Sequence, residues 1–76
     1  MVISNLSNQV RRLRFDNGEM TQKQLAEIVG VTRQTIIAIE ADRYSPSLTL
    51  AFRIARTFDV SIEDVFQYCN GELSGK

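Results

Sequence analysis

The chain is predicted to fold as one small all-α domain with five helices. Two observations predict this fold class: apolar residues recur at helical spacing, and no stretch alternates apolar and polar residues over the length of a strand. In addition, a serine or threonine able to act as an N-cap precedes four of the apolar segments. We expect a single domain over residues 1–76, with a compact core at about residues 5–68 and a frayed tail at 69–76.

The first two helices have well-marked ends. The first is expected over residues 5–17 and is followed by Gly18, which tolerates the left-handed conformation of a helix end. The second begins after Thr21, which can form a capping box with Gln24, and ends at Gly30. The residues expected to face inward are Leu6, Val10 and Leu13 in the first helix and Leu25, Ala26, Ile28 and Val29 in the second.

The other three helices begin in the same way. The third follows Thr32 and covers about residues 33–41, the fourth follows Ser47 and covers 48–58, and the last follows Ser61, with Asp64 three positions later. Of Leu50 and Phe52, at opposite edges of the apolar stripe, at least one is expected to be partly exposed. The inward residues are expected to be Leu48, Ala51, Ile54, Ala55, Phe58, Ile62, Val65 and Phe66.

Composition excludes several classes of protein. The chain has no histidine and one cysteine, Cys69, which argues against an internal disulfide, a metal site and a histidine-dependent catalytic triad. No apolar run approaches the ~18 residues of a membrane span, and no glycine-rich phosphate loop is present. We therefore expect a cytoplasmic protein that is not an enzyme and has no catalytic residue, cofactor, metal or small-molecule ligand.

The net charge of zero hides an uneven distribution. Residues 1–58 carry eight basic and five acidic side chains, whereas residues 59–76 carry one basic and four acidic ones. A basic body beside an acidic end is compatible with a nucleic-acid-binding face confined to one side, although an ordinary mixed surface would also explain it.

The third helix carries the strongest functional signal. Only Gly30 and Val31 separate the second helix from the cap of the third, which is typical of a helix-turn-helix unit. Ile36 and Ile39 share one face of the third helix and are expected to seal it onto the core. The opposite face presents side chains that can contact guanine, adenine and the thymine methyl group, and we expect it to read bases in the major groove of double-stranded DNA. These residues are Arg33, Gln34, Ile37 and Ala38.

Neighbouring residues are expected to hold the DNA backbone. The start of the second helix at Thr21 offers unpaired N–H groups to a phosphate, and Gln22 and Lys23 stand at that end. Arg43 and Tyr44 follow the third helix directly and are placed to contact phosphates.

A charged pair is predicted inside the domain. Arg14 lies beside the apolar stripe of the first helix, and Glu40 lies beside Ile36 and Ile39 near the end of the third. We expect them to form a partly buried, structural ion pair that sets the angle between the two helices.

Residues 20–36, MTQKQLAEIVGVTRQTI, resemble the phage Cro/CI-type (XRE) family of helix-turn-helix regulators. The similarity continues at Ile39 and Glu40 and through residues 45–48, 54–55 and 60–66, and covers about residues 8–68. Relative to the usual family pattern, Glu19 adds one residue between Gly18 and Met20.

The resemblance implies a five-helix lambda-repressor-like domain that binds operator DNA, commonly as a homodimer on a palindrome. It also implies that the matching residues contact DNA, namely Gln22, Arg33, Gln34, Thr35, Ile37 and Ala38, and that Arg14 and Glu40 pair internally. The full set expected on the DNA backbone is Thr21, Gln22, Lys23, Thr32, Thr35, Arg43 and Tyr44.

Two questions stay open at this level. The protein is expected to be a transcriptional regulator acting as a repressor; the alternative is an antitoxin or co-regulator whose Ile37 face binds a partner protein. A homodimer could use the C-terminal end, with Phe66, Tyr68, Cys69 and the edge of the fourth helix, or the N-terminal residues 1–3. Equally, these residues could cover the monomer's own core.

Overall fold

A computed structural model describes residues 6–68 of the chain. The expected N-terminal dimer segment at residues 1–3, Cys69 and the expected frayed tail lie outside these residues. In chain order the elements are β1 (Leu6–Asn8), α1 (Val10–Asp16), α2 (Gln22–Val29), α3 (Arg33–Glu40), α4 (Leu48–Thr57), α5 (Ile62–Val65) and β2 (Phe66–Tyr68).

Hydroxyl side chains begin four of these helices, as predicted. The Thr21 hydroxyl accepts from the Gln24 backbone N–H at 2.9 Å, and the Gln24 side-chain Oε1 accepts from the Thr21 N–H at 2.8 Å, which completes the capping box of α2. Thr32, Ser47 and Ser61 accept in the same way at the starts of α3, α4 and α5. These bonds satisfy N–H groups that have no acceptor within the helix.

Two glycines carry the connections on either side of α2. Gly30 has φ of +83° at the end of α2, a conformation that favours glycine, and the turn into α3 is correspondingly short. Gly18 also has φ of +83°, and the additional residue Glu19 takes the left-handed region as well, with φ of +56°. The longer connection between α1 and α2 is accommodated by these two left-handed residues.

The prediction of an entirely helical chain was wrong at both ends of the described region. β1 and β2 pair in antiparallel fashion, with Leu6 opposite Tyr68 and Asn8 opposite Phe66. The first helix therefore begins at Val10 and not at residue 5, and Phe66 lies in β2 beyond the end of α5. Three-residue strands are too short to show an alternating pattern, which explains why the sequence did not reveal them.

The core lies between the helices and follows the predicted periodicity closely. Its fully buried large side chains come from every helix and are Leu25, Ile36, Ile39, Ile54, Val10 and Val65. Leu13 and Ile62 are partly buried against this core. Leu50 is buried while Phe52 is exposed, as the stripe edges of α4 predicted.

Two apolar residues that were expected to face inward do not. Ile28 lies at the edge of the α2 stripe with 57% of its surface exposed, because Leu25 and Val29 already direct that helix towards the core. Leu48 is the first residue of α4 and is exposed because the part of this helix that packs against the core begins after it. The exposed Ile28 is part of a groove considered below.

Candidate nucleic-acid interface

The third helix divides into a buried and an exposed face. Ile36 and Ile39 are 0% and 1% exposed and fix α3 to the core. Arg33 and Gln34 are exposed, and Ile37 is 40% exposed although it is a large apolar residue. Ala38 is half-buried beside them. Of the four residues that the sequence predicted for this face, three are therefore exposed and Ala38 is partly covered.

A shallow groove of about 480 Å³ runs along this face. It is lined by Gln34, Ile37, Ala38, Ala41 and Arg43. The loop after α3 is held against the helix because the Arg43 N–H donates to the Ala38 carbonyl at 2.9 Å. Arg43 is thereby brought to the same groove as three of the predicted base-reading residues, whereas the exposed Tyr44 does not line it.

A second and larger cleft lies beside the start of α3. It measures about 670 Å³ and is bounded by α1, the first turn of α2 and Arg33. Thr21, Gln22 and Lys23 line it, as does Arg11, which sequence reasoning did not assign to any site. Arg11 precedes Arg14 by three positions and so lies near it on α1, a spacing that could have indicated its place. Cationic side chains predominate in this cleft. Arg14 and Glu40 neutralise each other in an ion pair, so that among the described residues Glu19 is the remaining carboxylate in the lining.

At the floor of this cleft, Arg14 and Glu40 form a bidentate ion pair. The Arg14 Nε and Nη2 atoms donate to the two Glu40 carboxylate oxygens at 2.6 and 2.9 Å, with both side chains largely buried. The Arg14 Nη1 atom donates to the Met20 carbonyl at 2.8 Å. The Gln22 Nε2 atom donates to Glu40 Oε1 at 3.2 Å. The carboxylate of α3 thus binds side chains from both α1 and α2.

The other residues predicted to contact the DNA backbone lie at the starts of α2 and α3. Thr32 and Thr35 are 3.1 Å apart at their hydroxyl oxygens, in the first turn of α3. Lys23 and Thr21 are exposed in the first turn and cap of α2. The cleft and the groove meet at α3, because Arg33 lines the cleft and Gln34 lines the groove.

The part of the chain that the structure describes shows two further features relevant to function. None of its helices is long and apolar enough to cross a membrane. Within residues 6–68 no group of three or more acidic, histidine or cysteine side chains is arranged to hold a metal ion.

Comparison with known protein families shows to which family this arrangement of helices belongs. Residues 10–65, from the start of α1 to the end of α5, match the helix-turn-helix family of the XRE type. The chain belongs to this family of transcriptional regulators. In this XRE-type protein, α2 and α3 form the helix-turn-helix unit and the predicted reading face is the exposed side of its second helix.

Relatives agree with this assignment, and a solved structure shows the same fold. An uncharacterized HTH-type transcriptional regulator from Archaeoglobus fulgidus is 46% identical over 71 residues, which cover 93% of this chain and 100% of the relative. Another from Methanothermobacter thermautotrophicus is 67% identical over 58 residues, covering 75% and 83% of the two chains. The crystal structure of the hypothetical transcription factor NHTF from Neisseria shares the fold, with a TM-score of 0.69 at 22% identity, covering 88% of this chain and 76% of that one.

Proposed function

We propose that this XRE-type protein binds double-stranded DNA sequence-specifically, with α3 in the major groove, and represses transcription as a homodimer on a palindromic operator. One observation carries the proposal: α3 leaves Arg33, Gln34 and Ile37 exposed on one continuous face. On the same helix, Ile36, Ile39 and Glu40 are all engaged inside the domain. The interactions that hold α3 in the domain therefore come from its other face.

Each side chain on this face has a matching group on a base edge. Arginine can donate to guanine O6 and N7, and glutamine can bond adenine N6 and N7 in bidentate fashion. Isoleucine and alanine can contact the thymine methyl group. Exposing Ile37 to water forgoes part of the roughly 1.5–3 kcal/mol that burial of an isoleucine contributes, and insertion against a thymine methyl would recover some of it.

The residues flanking α3 are suited to the phosphate backbone. Thr21, Gln22 and Lys23 line the cleft on one side of the helix, and Arg43 lines the groove on the other, with Tyr44 next to it. Thr32 and Thr35 stand at the start of α3 itself. Contacts from both sides would fix the helix in register in the groove without reading sequence.

Repression and dimerisation complete the proposal. A domain seated in the major groove of a promoter excludes other proteins from the same DNA, which is the simplest mechanism of repression. Two copies related by a two-fold axis would place their α3 helices about 34 Å apart, one turn of DNA, and would select a palindrome.

The experiment that tests this function is selection of bound sequences from a random pool of duplex DNA by the full-length protein. We expect a defined motif with two inverted half-sites, and an affinity that falls steeply with salt concentration. Recovery of no preferred motif from repeated rounds would contradict sequence-specific binding. A preferred motif without symmetry would retain the DNA-reading function but refute the palindrome.

Replacement of Arg33 and of Arg43 separates base reading from backbone contact. We expect Arg33→Ala to weaken binding by about 1–3 kcal/mol and to relax the preference at one guanine position. We expect Arg43→Ala to weaken binding to all sequences alike and to reduce the salt slope by about 1. Affinities for the selected site and its single-base variants, measured over a range of salt concentrations, provide the test. Losses from Arg33→Ala that are independent of sequence would refute its assignment as a base reader.

A further inference from the structure

A groove between α2 and α4 is separate from the proposed DNA interface. It measures about 660 Å³. α3 contributes no residue to its lining, and it shares no residue with the cleft or the groove described above. Its walls include Ile28 and Val29 from α2 and Thr49, Phe52, Arg53 and Arg56 from α4.

Two large apolar side chains stand exposed on opposite walls of this groove. Ile28 is 57% exposed and Phe52 is 49% exposed. The unexpected exposure of Ile28 on α2 and the expected exposure of Phe52 at the edge of the α4 stripe therefore fall on one concave surface. Exposed apolar side chains that cluster in a concavity rimmed by polar groups are characteristic of a protein-binding site, whereas singly scattered ones are not.

Among residues 6–68, the charged side chains that line the groove are all positive. These are Arg53 and Arg56. The Arg53 Nη1 atom donates to the Val29 carbonyl at 3.2 Å, which holds this guanidinium at the wall of the groove. Within residues 6–68, the Arg56 side chain makes no hydrogen bond or ion pair, so its charge is available to an incoming group.

We propose that this groove binds an acidic amphipathic helix of a partner protein. A groove between two helices accepts the apolar ridge of a third, with anchors at i, i+4 and i+7 that would contact Ile28 and Phe52. Acidic residues flanking this ridge would pair with Arg53 and Arg56, which gives the site its preference for a negatively charged partner.

A second copy of this chain fits the groove less well. A two-fold axis through the groove would bring the same arginines of the two copies together, and like charges across an interface oppose association. A closed dimer that avoids this repulsion would need a two-fold axis beside the groove, so that Asp59, Glu63 and Asp64 of each copy meet the arginines of the other. The molecular mass of the variant described below distinguishes that arrangement from binding of a partner protein.

Because α3 takes no part in the groove, the partner helix and DNA can be bound at the same time. The groove would thus recruit a second protein to the operator, a role distinct from the DNA binding proposed above. Loss of this role would leave the DNA affinity unchanged.

The test uses the full-length protein and a display library of helical peptides about 15 residues long, with leucine fixed at i, i+4 and i+7 and the other positions random. We expect enrichment of aspartate and glutamate beside the fixed leucines. In NMR spectra, a selected peptide should shift the signals of Ile28 and Phe52 and leave those of Ile37 and Ala38 in place. Selection of neutral or basic peptides, or shifts centred on α3, would overturn the proposal.

Arg56→Glu is the decisive variant, and Arg12→Glu is its matched control. Both arginines are exposed on helices, but Arg12 lies on α1 outside the groove. We expect Arg56→Glu to lower the affinity for the selected peptide at least about tenfold while Arg12→Glu leaves it unchanged. Equal losses from the two variants would show general charge attraction only. If Arg56→Glu lowers the DNA affinity as much as Arg43→Ala does, Arg56 belongs to the DNA interface. If Arg56→Glu converts the protein from dimer to monomer, the groove binds a second copy. Either result overturns the proposal.

Discussion

At the scale of single residues, Glu40 links α3 to the rest of the domain. Its two carboxylate oxygens accept three hydrogen bonds, two from Arg14 and one from Gln22. Because these donors come from α1 and α2, one side chain on α3 fixes its position relative to both. A bidentate arginine supplies directional as well as electrostatic stabilisation, which lysine cannot reproduce.

Removal of Arg14 is expected to be strongly destabilising. Arg14→Ala leaves the Glu40 carboxylate largely buried without its main partner, and we expect a loss of about 3 kcal/mol in the free energy of unfolding. Arg12→Ala is the control, because the Arg12–Asp16 pair spans 3.9 Å on an exposed surface and should contribute about 0.5 kcal/mol or less. Urea denaturation of both variants measures the difference, and equal losses would contradict the structural role of Arg14.

Two adjacent isoleucines on α3 are expected to have opposite roles. Ile36 is fully buried, so Ile36→Ala should cost about 2–5 kcal/mol of folding stability. Ile37 is partly exposed, so Ile37→Ala should change the free energy of unfolding by less than about 1 kcal/mol and instead weaken DNA binding.

The thymine methyl provides a direct test of Ile37. Replacing the contacted thymine by uracil removes one methyl group, worth about 0.8 kcal/mol or roughly a fourfold loss of affinity for the unaltered protein. For the Ile37→Ala variant the same replacement should cause a smaller loss, because the shorter side chain makes less contact with the methyl group. A titration of both proteins with both duplexes forms a thermodynamic cycle, and additive losses in that cycle would show that Ile37 does not contact the methyl group.

At the scale of elements, Asn8 joins the strand β1 to both α1 and α3. Its side-chain oxygen accepts from the Val10 N–H at 3.1 Å, at the start of α1. Its amide nitrogen donates to the Ile39 carbonyl at 2.9 Å and to Asp42 Oδ1 at 3.0 Å, at the end of α3. The Gln9 N–H donates to the Val65 carbonyl at 2.8 Å, which attaches the same segment to α5.

Asn8→Ala should therefore loosen the junction between these elements. We expect a loss of about 1–3 kcal/mol, because the Ile39 carbonyl and the Val10 N–H lose their side-chain partner together. Asn17→Ala offers a control of the same residue type, since its amide bonds only the Leu13 carbonyl at an exposed helix end and should contribute less than about 0.5 kcal/mol. Thermal unfolding followed by circular dichroism compares them. An Asn8 variant as stable as the Asn17 variant would contradict this account.

These elements also show what the sequence could and could not predict. The caps at Thr21, Thr32, Ser47 and Ser61 were predictable because the hydroxyl and the N–H that it accepts from are only three residues apart. The pairing of β1 with β2 was not, because it joins residues about sixty positions apart over only three residue pairs.

The candidate site was predicted by the same local logic. The exposed face of α3 followed from helical periodicity once Ile36 and Ile39 were assigned to the core. The spacing of Arg11 from Arg14 indicates that the two lie on one side of α1, but Arg11 was missed because the cleft on that side is formed only when α1 packs beside α2 and α3. The exposure of Ile28 was missed for the same reason.

At the scale of the whole molecule, zero net charge does not oppose DNA binding. The cleft and groove beside α3 gather Arg11, Lys23, Arg33 and Arg43, whereas Asp59, Glu63 and Asp64 lie in the segment that leads to β2. The positive charge gathered beside α3 attracts the phosphate backbone to that side of the protein, whatever the net charge of the whole chain.

Binding as a dimer makes the affinity depend on the spacing between the two half-sites of the operator. If two copies bind inverted half-sites one turn apart, insertion of five base pairs between the half-sites rotates one α3 to the opposite side of the DNA. Since one dimer cannot then contact both half-sites, we expect a loss of affinity at least about a hundredfold, approaching that of an isolated half-site. Titration of the selected operator, the expanded operator and a single half-site, with the mass of each complex measured by light scattering, tests this. If one chain binds a single half-site as tightly as the full operator is bound, the monomer is the binding unit. A dimer gains affinity only when both of its α3 helices contact half-sites on the same DNA.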